Sequence, residues 1–206
     1  MDREITGFKC FNRGDDIVER KELSWRGPFS WSVVKGATDL PNTSGVYLWT
    51  FPFRDGYVVY LAGVTKSTKS RFKSHFYAFR GGKYTILDLD SLSKEKRVEK
   101  WHGFSFSKEH KKLYESFPES LRDEISLLGQ GFMDAMKIFV VEMENVRERE
   151  RLEASIMHNI YYSKESWSEI ADRGMRLKER YNNEIPINAR NIVSGKLYGL
   201  PEELEY

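Results

Sequence analysis

Arg71 and His75 stand four residues apart in "KSTKSRFKSHF". On a helix that spacing puts both on one face, with Cβ atoms about 5–6 Å apart. A guanidinium gives paired hydrogen bonds to a phosphate. An imidazole gives or takes a proton near neutral pH. Lys66, Lys69, Lys73, Arg80 and Lys83 surround the pair, and no Asp or Glu occurs between Gly56 and Leu87. Two phenols, Tyr47 and Tyr60, lie just upstream. The net charge of the chain is only +2, so this local concentration leaves the remainder net acidic. Such a concentration marks a face for anions or nucleic acid. The competing reading is a solvated, lysine-rich helix.

The elements that position these groups can be read from pattern. "GVYLWTF" and "GYVVYLAGV" are rich in Val, Tyr, Leu, Trp and Phe and predict two strands. The short link from Pro52 to Gly56 makes them an antiparallel hairpin. Thr65 or Ser67 caps a helix that runs to about Phe79, with Phe72, Phe76 and Phe79 at core spacing. Gly81-Gly82 ends it. "DAMKIFVVEME" predicts a third strand. Val146 to about Tyr162 predicts a helix with a buried stripe of Leu152, Ile156 and Ile160, and Glu153 sits beside that stripe. Another helix is expected around Trp167–Tyr181. Trp25, Phe29 and Trp31 in "WRGPFSW" read as a packing element around a Gly-Pro turn.

In their order these features resemble the GIY-YIG nuclease family. "GVY" at Gly45–Tyr47 resembles the first family motif, and "LAG" at Leu61–Gly63 takes the place of the second. "GVTKSTKSRFKSHF" resembles the segment that leads to the family's arginine. The third strand and the helix carrying Glu153 follow in matching order. The implied fold is α/β (α+β): a small, mainly antiparallel three-stranded sheet flanked by helices. The core spans about 44–83 and 134–162, with an N-terminal extension (1–43), a helical insertion (84–133) and a C-terminal extension (163–206). The register set by Gly63, Thr65 and Arg71 puts Leu61 where the second motif has tyrosine. Tyr60 stands one residue earlier and replaces that tyrosine only if a bulge turns it inward.

The resemblance implies metal-dependent endonucleolytic cleavage of DNA. Arg71 would stabilise the phosphate. Glu153 would hold Mg²⁺, or Mn²⁺ as a substitute, since Mg²⁺ uses few protein carboxylates. Glu148 and Glu150 compete for that role. Tyr47, with Tyr60 as its companion, would activate or position water, helped by positive charge that lowers its pKa. His75 would accept a proton. Lys66, Lys69, Lys73, Arg80 and Lys83 would contact phosphates, which gives salt-sensitive affinity without sequence information. Asn188 is a further candidate, in competition with Asn159 and Asn191. A homodimer fits a palindromic target. The alternative is a nucleic-acid-binding protein that keeps the fold and has lost catalysis.

Composition sets the outer bounds. About 40% hydrophobic and 31% charged residues fit a soluble domain with its own core, and no apolar run is long enough to span a bilayer. The single cysteine, Cys10, excludes an internal disulfide framework and a cysteine zinc cluster. A cytoplasmic location is the simplest reading. His75, His102, His110 and His158 lack zinc-like spacing, and no phosphate-binding glycine loop, GxSxG or HExxH motif occurs.

Overall fold

A computed structural model describes residues 11–13, 16–31, 40–105 and 107–206. Cys10 lies outside them. In chain order the elements are β1 (Phe11–Arg13), β2 (Asp16–Ser30), β3 (Gly45–Phe53), β4 (Gly56–Thr65), α1 (Thr68–Arg80), β5 (Ile86–Leu87), α2 (Leu89–Ser93), β6 (Glu99–Trp101), α3 (Lys108–Ser116), α4 (Glu119–Ala135), β7 (Lys137–Glu142), α5 (Val146–Tyr161), β8 (Ile187–Val193), β9 (Lys196–Tyr198) and β10 (Glu203–Glu205). A short 3₁₀ turn covers Ser166–Ile170. Among the described residues no helix is long and apolar enough to cross a membrane.

The sheet corrects the expected one. It is a curled, mixed sheet in the order β10-β8-β2-β7-β3-β4-β9, with β1 paired to β2, and not a small three-stranded antiparallel unit. The expected hairpin and third strand form its middle, where β3 lies between β4 and β7, antiparallel to both. Two parallel pairings extend it, β2 with β8 and β4 with β9. The extension comes from β2, whose charged sequence hides a strand with alternating burial. Leu23 and Trp25 point into the core while Glu22, Ser24 and Arg26 face outward. Its pairing with β7 shifts between Arg26 and Phe29, around Gly27-Pro28, where a proline can sit without breaking a ladder. The helix expected around Trp167–Tyr181 is absent: only the 3₁₀ turn forms, and the rest of that span is irregular.

β3 is buried along nearly its whole length. Its odd-numbered aromatics, Tyr47, Trp49 and Phe51, form one layer with Phe72 and Phe79 of α1 and Phe132 of α4. α4 therefore serves the core: Ile125, Phe132 and Met133 are buried, and Gly129 lets it cross close to α1. A Cβ at Gly129 would lie 2.7 Å from the carbonyl oxygen of Phe79, whereas one at Gly131 would meet nothing within 4 Å.

The two glycines of α4 thus give opposite expectations. Gly129→Ala forces the helices apart and costs about 1–3 kcal/mol. Gly131→Ala removes backbone freedom at no steric cost and gains about 1 kcal/mol. Thermal or urea unfolding of the two variants, side by side, checks both signs.

Candidate active site

α1 carries the arginine and the histidine. Ser67 caps it by accepting a hydrogen bond from the N–H of Ser70, so the helix starts where the sequence placed it. Phe72, His75 and Phe79 form its buried face, while Lys66, Lys69, Arg71, Lys73, Arg80 and Lys83 are exposed. Arg80 is the partial exception among the cations, since its Nε donates to Ser126 Oγ of α4 at 3.0 Å.

Tyr47 reaches α1 from β3. Its hydroxyl lies 2.9 Å from His75 Nε2, and Arg71 Nε donates to the same oxygen at 3.4 Å. On the other side of the imidazole, Nδ1 lies 3.1 Å from the hydroxyl of Tyr84. Gly63 makes room for this chain. The phenol of Tyr47 lies over it, so that a Cβ there would fall 2.3 Å from both Cζ and the hydroxyl oxygen. The glycine of "LAG" is thus required by close approach.

The electrostatics correct one expectation. Arg71 does pull the Tyr47 pKa down, but burial outweighs it and the charge of Glu153 adds to burial, so the phenol is pushed up to about 12. Tyr47 is a neutral phenol at neutral pH and no general base in its own right. Burial, Arg71 and Lys83 hold His75 well below the usual histidine range. The imidazole is therefore neutral as well, and free to accept a proton at one nitrogen.

Glu153 arrives from α5 by a different route. β4 pairs with β9 only over Gly56–Val58. Beyond that point its outer edge is free of strand partners, and the groups on it are satisfied in other ways. The N–H of Asp172 donates to the carbonyl of Tyr60 at 2.9 Å, and the N–H of Ala62 donates to Met157 Sδ at 3.1 Å. The N–H of Val64 donates to the carboxylate of Glu153. Among the described residues no lysine or arginine nitrogen lies within ion-pair distance of that carboxylate. Burial therefore dominates and pushes it up to about 7. Its rivals are engaged: Glu148 pairs with Lys21 at 2.6 Å and Glu150 with Lys178 at 2.5 Å. A buried carboxylate without a cationic partner fits a hard divalent ion, which would offset its desolvation. No cluster of three or more His, Cys, Asp or Glu with metal-holding spacing occurs among the described residues.

The remaining candidates separate. Tyr60 is the extra residue of a bulge in β4: Trp49 pairs with Leu61 and Thr50 with Val59, which leaves it unpaired. The bulge turns its ring onto the layer of Phe51 and Phe132. Its hydroxyl, however, lies beside Arg97, and no contact joins it to Tyr47, Arg71 or His75 among the described residues. Asn188 is not in the site. It sits on β8, with β2 and β7 between it and β3, and lines an open groove of about 1250 Å³ that contains none of Tyr47, Arg71, His75 or Glu153. Asn191 is occupied by Trp25 Nε1 and the carbonyl of Pro201, and Asn159 donates to the carbonyl of Gly199. Tyr84 is the member that pattern could not find, because it follows the end of α1 and no periodicity links it to His75. No family model, curated protein or solved structure matches the chain.

A carboxyl whose folded pKa is raised stabilises the fold below the unfolded value and loses that contribution as pH rises through the folded one. Glu153→Gln, which keeps an acceptor for Val64, should therefore gain on wild type across that window. The two should unfold alike near about pH 4, with the variant ahead by up to roughly 3 kcal/mol at about pH 8. Urea melts at the two pH values test this, and a gap that does not grow with pH would refute the assignment. Gly63→Ala should displace the Tyr47 ring and lower stability by about 1–3 kcal/mol, read as a drop in the urea midpoint.

Proposed function

We propose that the protein is a metal-dependent DNA endonuclease with a GIY-YIG-like active site. One observation carries the reading. Four residues from three separate elements, Tyr47, Arg71, His75 and Glu153, belong to one electrostatic neighbourhood beside an exposed basic helix, in the order the resemblance implies. In that site Arg71 binds a non-bridging phosphate oxygen, for which its exposed position suits it. Tyr47 holds the attacking water through its oxygen and passes its own proton to His75 Nε2. Glu153 would hold the metal, and a bound Mg²⁺ ion would supply polarisation of the phosphate and stabilisation of the leaving 3′-oxygen. Lys66, Lys69, Lys73 and Lys83 fix the backbone of the duplex.

A second reading has its own support. Leu61 occupies the position of the second motif tyrosine, Tyr60 turns its hydroxyl to Arg97, and Tyr47 is only 1% exposed. These features favour a nucleic-acid-binding protein without catalysis.

Plasmid cleavage separates the two. Wild type with Mg²⁺ should nick or linearise DNA, and Arg71→Ala and Glu153→Ala should each cut at least about 10²-fold more slowly. Salt-dependent binding without cutting on varied DNA favours the second reading, and cutting that survives both substitutions removes these residues from the site. Lys69→Ala should weaken binding to all sequences alike and lower the slope of log K against log salt by about 1, as measured by titration at several salt concentrations.

A further inference from the structure

We infer that Tyr84 is a positioning residue that fixes His75 as its Nδ1–H tautomer and gives the proton taken from the attacking water a path to solvent. The path rests on the nuclease reading of the same site, while the tautomer is measurable without it.

The direction of the hydrogen-bond chain follows from what each group can do. Arg71 only donates, so the oxygen of Tyr47 accepts from it. Among the described residues the sole acceptor for the Tyr47 hydroxyl proton is His75 Nε2. That nitrogen is then bare, and a neutral imidazole carries its one proton on the other, Nδ1. The partner of Nδ1 is the oxygen of Tyr84 at 3.1 Å. The chain therefore runs one way, from Arg71 through Tyr47 and His75 to Tyr84. Tyr47 and His75 are 1% and 3% exposed, whereas Tyr84 is half-buried and keeps its own proton for water.

Tyr84 is built in place. Its ring packs edge-on against Phe79 with centroids 5.1 Å apart, and it also meets Trp49. Its backbone is clamped by the segment around β6. Trp101 Nε1 donates to the carbonyl of Gly82, and Ser105 donates to that of Lys83. Gly103 lies so close that a Cβ there would fall 2.3 Å from the carbonyl carbon of Tyr84.

The chemistry balances without a stored charge. The water gives a proton to the Tyr47 oxygen as its remaining hydroxide attacks phosphorus and the bond to the 3′-oxygen breaks, and the leaving oxygen takes a proton from solvent. The Tyr47 proton moves to Nε2, the Nδ1 proton moves to Tyr84, and the Tyr84 proton leaves to bulk water. His75 finishes as the Nε2–H tautomer; once product has left, Tyr47 gives its proton to water entering the site, Nε2 returns a proton to Tyr47, and Tyr84 passes one from bulk water to Nδ1. The charged and titratable groups facing the ring are Arg71 on its own helix, Tyr47 from β3, and Lys83 and Tyr84 after α1. The two cations oppose an imidazolium intermediate, and the relay avoids one.

The test is Tyr84→Phe, which keeps the ring packing, with a thermal melt to confirm folding. Nitrogen-15 NMR of the full chain should report His75 as Nδ1–H in wild type and as a mixture or Nε2–H in the variant. In plasmid cleavage kcat should fall about 10²-fold, with KM unchanged and a changed pH profile, since His75 must then take a charge. An Nε2–H or doubly protonated His75 in wild type overturns the inference, as does a variant with unchanged tautomer. An unchanged kcat and pH profile overturns the path. If wild type cuts no DNA, the nuclease reading and the proton path fail together, and the NMR comparison still decides whether Tyr84 sets the tautomer.

Discussion

The free half of β4 is the constraint on which the site depends. A buried backbone N–H needs an acceptor, and β9 supplies none beyond Val58. α5 runs beside that edge and supplies two. Met157 and Glu153 are four residues apart on a helix, about 6 Å along its axis. Ala62 and Val64 are two apart on a strand, about 6.6 Å. The near-match lets one helix face serve successive outward N–H groups. One acceptor is a weak sulfur and the other a carboxylate that pays in desolvation. The residue offered to chemistry is thus also part of the sheet edge. A longer β9 would satisfy the same N–H groups and leave the carboxylate no reason to be there.

Around that carboxylate the site is nearly uncharged at rest. Tyr47 and His75 are both neutral, for the same reason: each is buried, and burial disfavours the charged form of either. Glu153 stands near the midpoint of its titration at neutral pH. The only permanent charge within the chain of hydrogen bonds is Arg71, which is also its most exposed member. Proton transfer between neutral partners needs no reorganisation of a distant field. The open side of the chain thus presents a single fixed cation set among surface lysines.

Much of the site's frame was legible because it is local. Ser67, the phenylalanine spacing of α1, the hairpin link and the stripe of α5 all act over one or two turns, and they put Arg71 and His75 on one helix, Tyr47 on the hairpin and Glu153 on a second helix. The outer sheet was not legible, because its determinants are distant. β2 carries charges on its exposed positions and a proline at its bulge, so only its partners β7 and β8 reveal it as a strand. β9 and β10 are three residues each and have no pattern of their own. The span expected as a helix around Trp167–Tyr181 is held instead by single contacts, such as Asp172 to Tyr60 and Arg97 to the carbonyls of Ile170 and Ala171. Asn188 was drawn in by its type and by its place after the glutamate helix in the order the resemblance implies, and the sheet carries it away from β3. Burial, which set the pKa of Tyr47 against its neighbours, has no sequence signature.

The bulge at Tyr60 changes how this chain is to be counted. Before it, Val58 shares a face with Phe51; after it, Leu61 and Gly63 share that face with Trp49 and Tyr47. Even numbers become odd across one residue, so β4 consists of two half-strands written in different reading frames. A ruler laid along the strand from its first residue arrives at Gly63 one step out of phase. The bulge brings the Tyr60 ring onto the layer of Phe51 and Phe132 but leaves its hydroxyl beside Arg97, so Leu61 and not Tyr60 faces Trp49 across the ladder. Any comparison that pairs residues by spacing alone will slip at this point, and one that pairs them by the face they occupy will not.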